Sequence, residues 1–496
     1  MKNEKKSKSD FSRLGLPSPR WLIAPALFAV TLRYAPYAVY GNSRVYDKEV
    51  PISVIDNFLS EENVRELRDW IKDERRFATA IEAATQGVVS VGEEEPILPD
   101  GTCESTEFTS ANNDFCHVAG RSDIFKHYAA TGGWYGAKET LKKLFSSIYT
   151  FINYYPDRVK DPVIQKLFKS DTYQKEVKKI CAAGLGFENP SEWSERHEDI
   201  HFHPLQVNIV MIPPGMDLPL HQDNQWFWGT NQRSAPDWLL HVMKESGRFD
   251  DIMIPQAQGV SYLHGTADDP IYKNGGRYLY YPNGPGAPVK SIPPKRGQAI
   301  IMDGGRTIHG VERTHPGHVS GHLRRGGFNR IEYQGNETWY ILSDDDLVDV
   351  YQTEDFRMTF VWRGLCFENA EQEAKFEAEL ESKDFTDNEE ILKVLDDDLH
   401  KKGKLPKEKT LENMKRKDFI RLLQKVYMQY PLDVPGAWFP MNYCALGYQK
   451  PWLTWLLSPF CQDIRPRKPL NDQYPPAKPF CDPLGRVNRN TNCPMS

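Results

Sequence analysis

The chain has 496 residues, with 62 Lys and Arg against 68 Asp and Glu, 40% hydrophobic residues and 12% aromatics. That is enough chain for roughly two to four structural units around a large core, and it is too apolar and too charge-balanced for a disordered protein. Thirty-six Pro and 34 Gly without a period exclude collagen-like and solenoid architectures, and the net charge of -6 disfavours non-specific nucleic-acid binding while leaving room for a local basic groove.

The first segment, 1–45, reads as a leader. Lys2, Lys5, Lys6, Lys8, Arg13 and Arg20 precede an uncharged run from Trp21 to Leu32, and after Arg33 a second apolar stretch runs from Tyr34 to Gly41. A basic region before an apolar one is the layout of a signal peptide or signal anchor, with membrane anchoring through 21–41 as one outcome. Arg33 interrupts the ~20 apolar residues that a full span needs. The bland alternative is a leader that packs on the body of the protein.

Segment 46–204 reads as a helical support region. Val50 to Phe58 alternates like a strand, and Ser60-Glu61-Glu62 opens an amphipathic helix through Val64, Leu67, Trp70 and Ile71, with Ser60 as N-cap. Residues 83–133 look loop-like, and helical patterns return over 136–155 and 161–182. From 205 to 367 the texture changes to short strands between Gly/Pro turns, a barrel or sandwich interrupted by one helix from Trp238 to Arg248. Residues 368–430 read as a charged helical extension, packed through Leu392, Val394, Leu395, Ile420 and Leu423.

The tail, 431–496, bears Pro and Cys444, Cys461, Cys481 and Cys493, and disulfides are the expected means of holding so aperiodic a segment. A zinc site is the rival, but no CxxC occurs anywhere. Cys103 and Cys116 flank a polar loop and form a second candidate pair, whereas Cys366 reads as a buried thiol. With the glycosylation acceptor Asn336-Glu337-Thr338, these features favour the secretory pathway (ER lumen or membrane) or secretion, with the cytoplasm as alternative.

The chemistry concentrates in two motifs. In Leu218-Pro219-Leu220-His221-Gln222-Asp223 an alternating strand delivers His221 and Asp223 to one face. In "RGQAIIMDGGRTIHGVERT" a buried strand, a turn at Asp303-Gly304-Gly305 and a second strand from Thr307 to Val311 deliver His309. Two His and one carboxylate leave coordination positions open, as in non-haem Fe(II) oxygenases. Competing clusters read as structural. His197-Glu198-Asp199 has no strand leading in; His201 and His203 offer a second metal pair, but the favoured reading has them enter the first barrel strand with ring nitrogens on backbone; and His315, His318 and His322 lie in a Gly-rich loop expected to be solvated.

On these motifs the chain resembles the Fe(II)/2-oxoglutarate-dependent dioxygenases. "VPISVIDNFLSEENVRELRDWI" resembles the first strand and helix of the prolyl 4-hydroxylase branch, and "IPPGMDLPLHQD" is similar to the turn and His-x-Asp strand of AlkB-like enzymes. The resemblance covers about 50–80 and 205–367. It implies an α+β fold with a double-stranded β-helix (jelly-roll) core, flanking N-terminal helices and a helical C-terminal extension. It implies Fe(II) on His221, Asp223 and His309, with 2-oxoglutarate and O2 as cosubstrates and ascorbate as a reductant.

The family's basic residue for 2-oxoglutarate usually follows the distal His by about ten positions, but Val319 stands there. In "DFRMTFVWRGLCF", Arg357, Thr359, Val361 and Arg363 share a face. By resemblance Arg357 takes the distal carboxylate and Arg363 lies nearer the metal, with Arg313 in reserve and 314–355 an insertion containing a hairpin. Asn208 is a further candidate cosubstrate contact, and Trp226 and Trp228 are candidates for the substrate floor. The reaction implied is hydroxylation of a protein, peptide or small molecule with release of succinate and CO2. An AlkB-like nucleic-acid demethylase and a non-catalytic β-helix scaffold are the alternatives.

Overall fold

The computed structural model describes residues 49–78, 94–96, 107–109, 115–118, 149–153, 162–187, 199–216, 218–231, 234–235, 237–265, 275–284, 287–312, 314–315, 318, 329–382, 384–427, 456 and 471–477. The leader, Cys103, the four tail cysteines, Arg313, His197 and His322 lie outside the described residues, as does the side chain of Cys116. Among the described residues no helix is long and apolar enough to cross a membrane.

Strand β1 (Ile52–Ile55) leads into helix α1 (Glu61–Glu74). Ser60 is extended and its Oγ accepts from the Asn63 amide at 3.1 Å, while Glu61 and Glu62 face the positive end of the helix dipole. After β2 (Arg76–Ala78), the stretch expected to be loop carries a small sheet of β3 (Glu94–Pro96), β4 (Glu107–Thr109) and β5 (Phe115–Val118). The helix expected over 136–155 is corrected where it is described. Tyr149–Asn153 is a strand, β6, whose aromatic and β-branched residues suit a sheet edge. Helices α2 (Pro162–Phe168) and α3 (Asp171–Gly184) divide the next helical pattern, because Ser170 starts a new helix by accepting from the Tyr173 amide.

Next come β7 (His201–Ile212), β8 (Leu218–His221), β9 (Trp226–Phe227), α4 (Asp237–Ser246) and β10 (Met253–Ile254). They are followed by β11 (Gln256–Tyr262), β12 (Tyr278–Tyr281), β13 (Lys290–Ile292), β14 (Ala299–Met302) and β15 (Ile308–Val311). A meander of β16 (Asn329–Gly335), β17 (Thr338–Ser343) and β18 (Asp346–Gln352) fills the expected insertion, with β2 on its edge. The long β19 (Arg357–Phe367) precedes α5 (Ala370–Ser382), α6 (Asn388–Lys401) and α7 (Arg416–Tyr427).

The fold thus mixes helices with antiparallel sheets. One sheet runs β1-β14-β11-β19-β7-β6 and the other β13-β12-β15-β8. Successive core strands alternate between them: β7, β11, β14 and β19 lie in the first, and β8, β12, β13 and β15 in the second. Three apolar clusters follow. Val260, Tyr262, Tyr278, Tyr280, Ile300 and Met302 draw on both sheets. Outside the first sheet, Ile209, Met211, Phe360 and Trp362 pack on α1 and α3 through Val64, Leu67, Tyr173 and Val177. Beside the second, Leu279, Tyr281 and Ile308 pack with α4, α6 and α7. The extension is seated through Leu392, Leu395, Ile420 and Leu423 as expected, but Val394 is 38% exposed and takes no part in that core.

Cys366 is corrected. It is bonded to Cys181 of α3, joining positions 185 residues apart and tying the helical layer to the end of β19. Closing so long a loop restricts the unfolded chain, an effect worth on the order of 4 kcal/mol for long loops.

Gly259 lies opposite Trp362 in the β11–β19 ladder, and a Cβ there would overlap the indole ring. Trp362 cannot retreat, because Phe168, Tyr173 and Phe202 surround it at centroid distances of 6.3, 4.6 and 5.8 Å. Gly259→Ala is therefore expected to lose about 1–3 kcal/mol by overpacking. A lowered urea midpoint at constant slope is the readout, and an unchanged midpoint would contradict this packing.

Candidate active site

The second sheet sets His221 of β8 directly opposite His309 of β15. Cross-strand partners in an antiparallel ladder share a face of the sheet. The side chain of His221 lies outside the described residues. Two residues on, Asp223 is 3% exposed, and its Oδ2 lies 3.7 Å from His309 Nε2. His309 is 2% exposed, and its Nδ1 contacts the Thr307 carbonyl at 2.9 Å. A carbonyl can only accept, so Nδ1 carries a proton, and Nε2 is the nitrogen turned toward Asp223. This second hydrogen bond is the usual device for fixing the tautomer and direction of a metal-binding imidazole.

The turn at Asp303-Gly304-Gly305 positions the carboxylate. The Asp223 amide donates to the Gly304 carbonyl at 3.0 Å, and Gln225 Nε2 donates to the carbonyls of Asp223 and Gly305. A Cβ at Gly304 would strike Asp223 Oδ2 and Gln258 Oε1, and one at Gly305 would strike the Gln225 amide, so both glycines are needed for close approach. Asp303 holds the turn by accepting from the amides of Gly305 and Arg306 at 3.0 and 3.1 Å, and burial pushes its carboxyl up from the ordinary value.

On the facing sheet, Arg357 is 3% exposed. Its Nε donates to the Gly276 carbonyl at 3.2 Å and its Nη2 to the Tyr262 hydroxyl at 3.4 Å, with the guanidinium carbon 5.1 Å from the Tyr262 ring centre. Gly276 has φ +76°, which side-chain-bearing residues rarely adopt, and a Cβ there would press on Thr314 at 3.2 Å. Among the described residues no carboxylate pairs with Arg357. Burial lowers its pKa while the Tyr262 and Tyr278 phenols oppose that shift.

Tyr278 links the two halves. Its ring stacks on His309 at 5.7 Å, and its phenol, held well above the ordinary range chiefly by burial, feels both the Asp223 and Arg357 charges. Tyr262, Tyr278 and His264 stand beside Arg357 or His309 and were passed over by motif reading. The alternation Gln258, Val260, Tyr262 in β11 and the aromatic run Tyr278–Tyr281 carried the signal.

The remaining expected residues fall into two groups. Asn208 stands opposite Val361 in the β7–β19 ladder, and its Oδ1 is buried without a hydrogen-bond partner. Arg363 is 6% exposed and donates to the Asn224 carbonyl at 3.3 Å, beside Asp223. Trp226 and Trp228, by contrast, pack on the extension helix. Their rings lie 5.7 and 6.4 Å from that of Phe376, Trp228 is also 6.0 Å from Phe367, and Lys375 Nζ is 4.8 Å from the Trp228 ring centre. These contacts seat both indoles against the extension helix.

His201 and His203 also depart from expectation, for their ring nitrogens meet Glu373 of α5 rather than backbone. His318 contacts the Tyr351 hydroxyl at 3.0 Å and His315 is half-buried with a lowered pKa, so neither is simply solvated.

No protein-family model and no curated protein matches this chain. Solved structures similar to it are 2-oxoglutarate oxygenases. A Pseudomonas putida prolyl-4-hydroxylase is 12% identical, covering 68% of this chain and 97% of its own, with a TM-score of 0.26. HygX from Streptomyces hygroscopicus, bound to nickel, 2-oxoglutarate and hygromycin B, is 9% identical over 64% and 83% of the two chains, with a TM-score of 0.28. A Trichoplax adhaerens prolyl hydroxylase in complex with a hypoxia inducible factor peptide is 10% identical over 71% and 94%, with a TM-score of 0.24. At such scores these likenesses carry no weight in assigning residues.

His264 supplies a test of the site's electrostatics. It is 3% exposed, its Nδ1–H donates to the Met358 carbonyl at 3.0 Å, and its Nε2 is buried without a hydrogen-bond partner. Burial first, and then the Arg357 charge, push its pKa down to about 3 from 6.5. Between these values the folded chain binds fewer protons than the unfolded chain, so stability present above pH 6.5 is lost as pH falls. From pH 6.5 to pH 4 this loss is expected to be on the order of 3 kcal/mol. His264→Gln should flatten the wild-type pH dependence of urea unfolding by that amount, and parallel curves would contradict the assignment.

Proposed function

We propose that the chain is an Fe(II)- and 2-oxoglutarate-dependent dioxygenase that hydroxylates a protein, peptide or small molecule. In this reading the two main sheets are the walls of a double-stranded β-helix. The alternation of β7, β8, β11, β12, β14, β15 and β19 between the sheets, with orders β14-β11-β19-β7 and β13-β12-β15-β8, supports it. Further support comes from the ladder that sets β8 directly beside β15.

The observation that carries the proposal is the buried guanidinium of Arg357. A cation taken out of water costs several kcal/mol unless it meets a counter-charge. Here its described partners are a carbonyl and a phenol, and Tyr278, which stacks on His309, lies in the field of both Arg357 and Asp223. A dianionic cosubstrate whose far carboxylate meets Arg357 and whose other end faces Asp223 and His309 resolves that imbalance. The planar fork of Arg suits a carboxylate.

The donor set fits iron: two imidazoles and a carboxylate with positions left open, and a ligand tautomer fixed by Thr307. His221, Asp223 and His309 would hold Fe(II), which when bound supplies the activation of O2 that couples cosubstrate decarboxylation to substrate hydroxylation. The chain's own residues perform the rest. Arg357 with Tyr262 orients the cosubstrate, and Arg363 steadies the 223–224 loop through the Asn224 carbonyl. Asn208 offers a hydrogen bond from the first sheet. Tyr262, Tyr278, Val260, Ile300 and Met302 exclude water from the space between the sheets.

Succinate formation from 2-oxoglutarate by the purified chain with Fe(II) and ascorbate tests this reading. The wild type is expected to make succinate slowly without substrate, and Asp223→Ala and His309→Ala are expected to fall to the no-enzyme background. Absence of Fe(II)-dependent succinate from the wild type, or its persistence in both variants, would overturn the proposal and favour a non-catalytic scaffold.

A further inference from the structure

At the start of β7, on the face opposite Phe202 and away from the Asp223–His309 pair in sequence and partners, four ligand-type side chains converge on one seam. His201 and His203 alternate on a strand and so share a face, while Glu373 and Glu377 stand one turn apart on α5. His203 Nδ1 lies 3.0 Å from Glu373 Oε1 and 3.6 Å from Glu377 Oε1. His201 Nδ1 lies 2.8 Å from the other Glu373 oxygen, Oε2. The His203 ring is set edge-on against Phe376 at 5.6 Å, which fixes the direction of its Nδ1.

We propose that His203, Glu373 and Glu377 form a divalent-cation site of the zinc class, with His201 orienting Glu373 through its second oxygen. The donor atoms lie within 4.8 Å of one another. Bonds of roughly 2.0–2.1 Å to a tetrahedral ion place neighbouring donors about 3.3 Å apart, and the two separations from His203 Nδ1, 3.0 and 3.6 Å, bracket that spacing.

A plain hydrogen-bond cluster accounts for less of this arrangement. One ring N–H can satisfy only one acceptor, yet two carboxylates approach the same Nδ1, and two like charges so close repel unless a cation lies between them. An ion there balances both carboxylates, leaves the imidazole neutral and uses the same kind of outer hydrogen bond, His201 to Glu373, that orients metal-bound carboxylates elsewhere. Such an ion would clamp α5 onto the start of β7, beside the ring cluster of Trp226, Trp228, Phe367 and Phe376. Binding to the folded chain alone would then stabilise that junction by mass action.

The test uses the full chain, stripped with a chelator, in an Asp223→Ala background that disables the proposed iron centre, so the two readings fail separately. Zn(II) alone is titrated against a chromophoric chelator, and thermal melting is followed by circular dichroism. One equivalent is expected to bind and raise Tm. Glu377→Gln, at a side chain 56% exposed and so tolerant of replacement, is expected to weaken binding at least tenfold, and His203→Asn to abolish that equivalent and its Tm shift. Should His203→Asn fail to fold, the Glu377→Gln result decides. The proposal is overturned if the Asp223→Ala chain binds no zinc, or if Glu377→Gln leaves affinity and Tm shift unchanged.

Discussion

A guanidinium buried to 3% exposure, with no carboxylate beside it among the described residues, is the feature around which the rest of the molecule makes sense. Desolvating Arg357 is tolerable only because it donates to the Gly276 carbonyl and the Tyr262 hydroxyl and lies over the Tyr262 ring. These are neutral partners, and they leave the charge uncompensated in a low-dielectric space. The backbone is shaped to permit this. Gly276, at φ +76°, brings its carbonyl up to the arginine in a conformation that residues with side chains rarely adopt. On the proposed function an anion would supply the balance, and Tyr278, stacked on His309 and in the field of both Asp223 and Arg357, joins the two ends of the site.

The surrounding layers brace the two sheets from outside. The first sheet is backed by α1 and α3 through a core that includes Trp362, and the Cys181–Cys366 bond pins α3 to the last strand. The second sheet has α4, α6 and α7 beside it, with Leu279 and Ile308 in the shared core. The inner faces can then be given to functional side chains, because stability comes mainly from the outer layers. Close approach recurs wherever alignment matters: Gly304 and Gly305 against Asp223 and Gln225, and Gly259 against Trp362. Interiors packed this tightly transmit small displacements instead of absorbing them.

Much of this was legible in the residues. The Ser60 cap, the alternating strands and the Gly-rich turn before His309 each follow from local chemistry, as does the shared face of Arg357 and Arg363, and each depends on neighbours a few positions away. The pairing of positions 221 and 309 came from matching two such local patterns. What stayed hidden depends on distant partners. Cys366 reads as a lone thiol because Cys181 lies 185 residues earlier in a helix. Trp226 and Trp228 look like pocket aromatics until Phe376 covers them, and His201 and His203 look backbone-bound until α5 brings Glu373 to them. Tyr149–Asn153 takes strand form because β7 offers an edge, which no local periodicity announces.

The central claim is that Arg357 awaits a carboxylate. Isothermal titration of 2-oxoglutarate into the anaerobic, Fe(II)-loaded chain, compared with Arg357→Met, tests it most directly. The account predicts binding by the wild type, with the variant weaker by about tenfold or more, as a lost charge-assisted bond worth ~1.5–3 kcal/mol requires. Equal affinity in the two proteins, or no binding by a folded wild type, would contradict it.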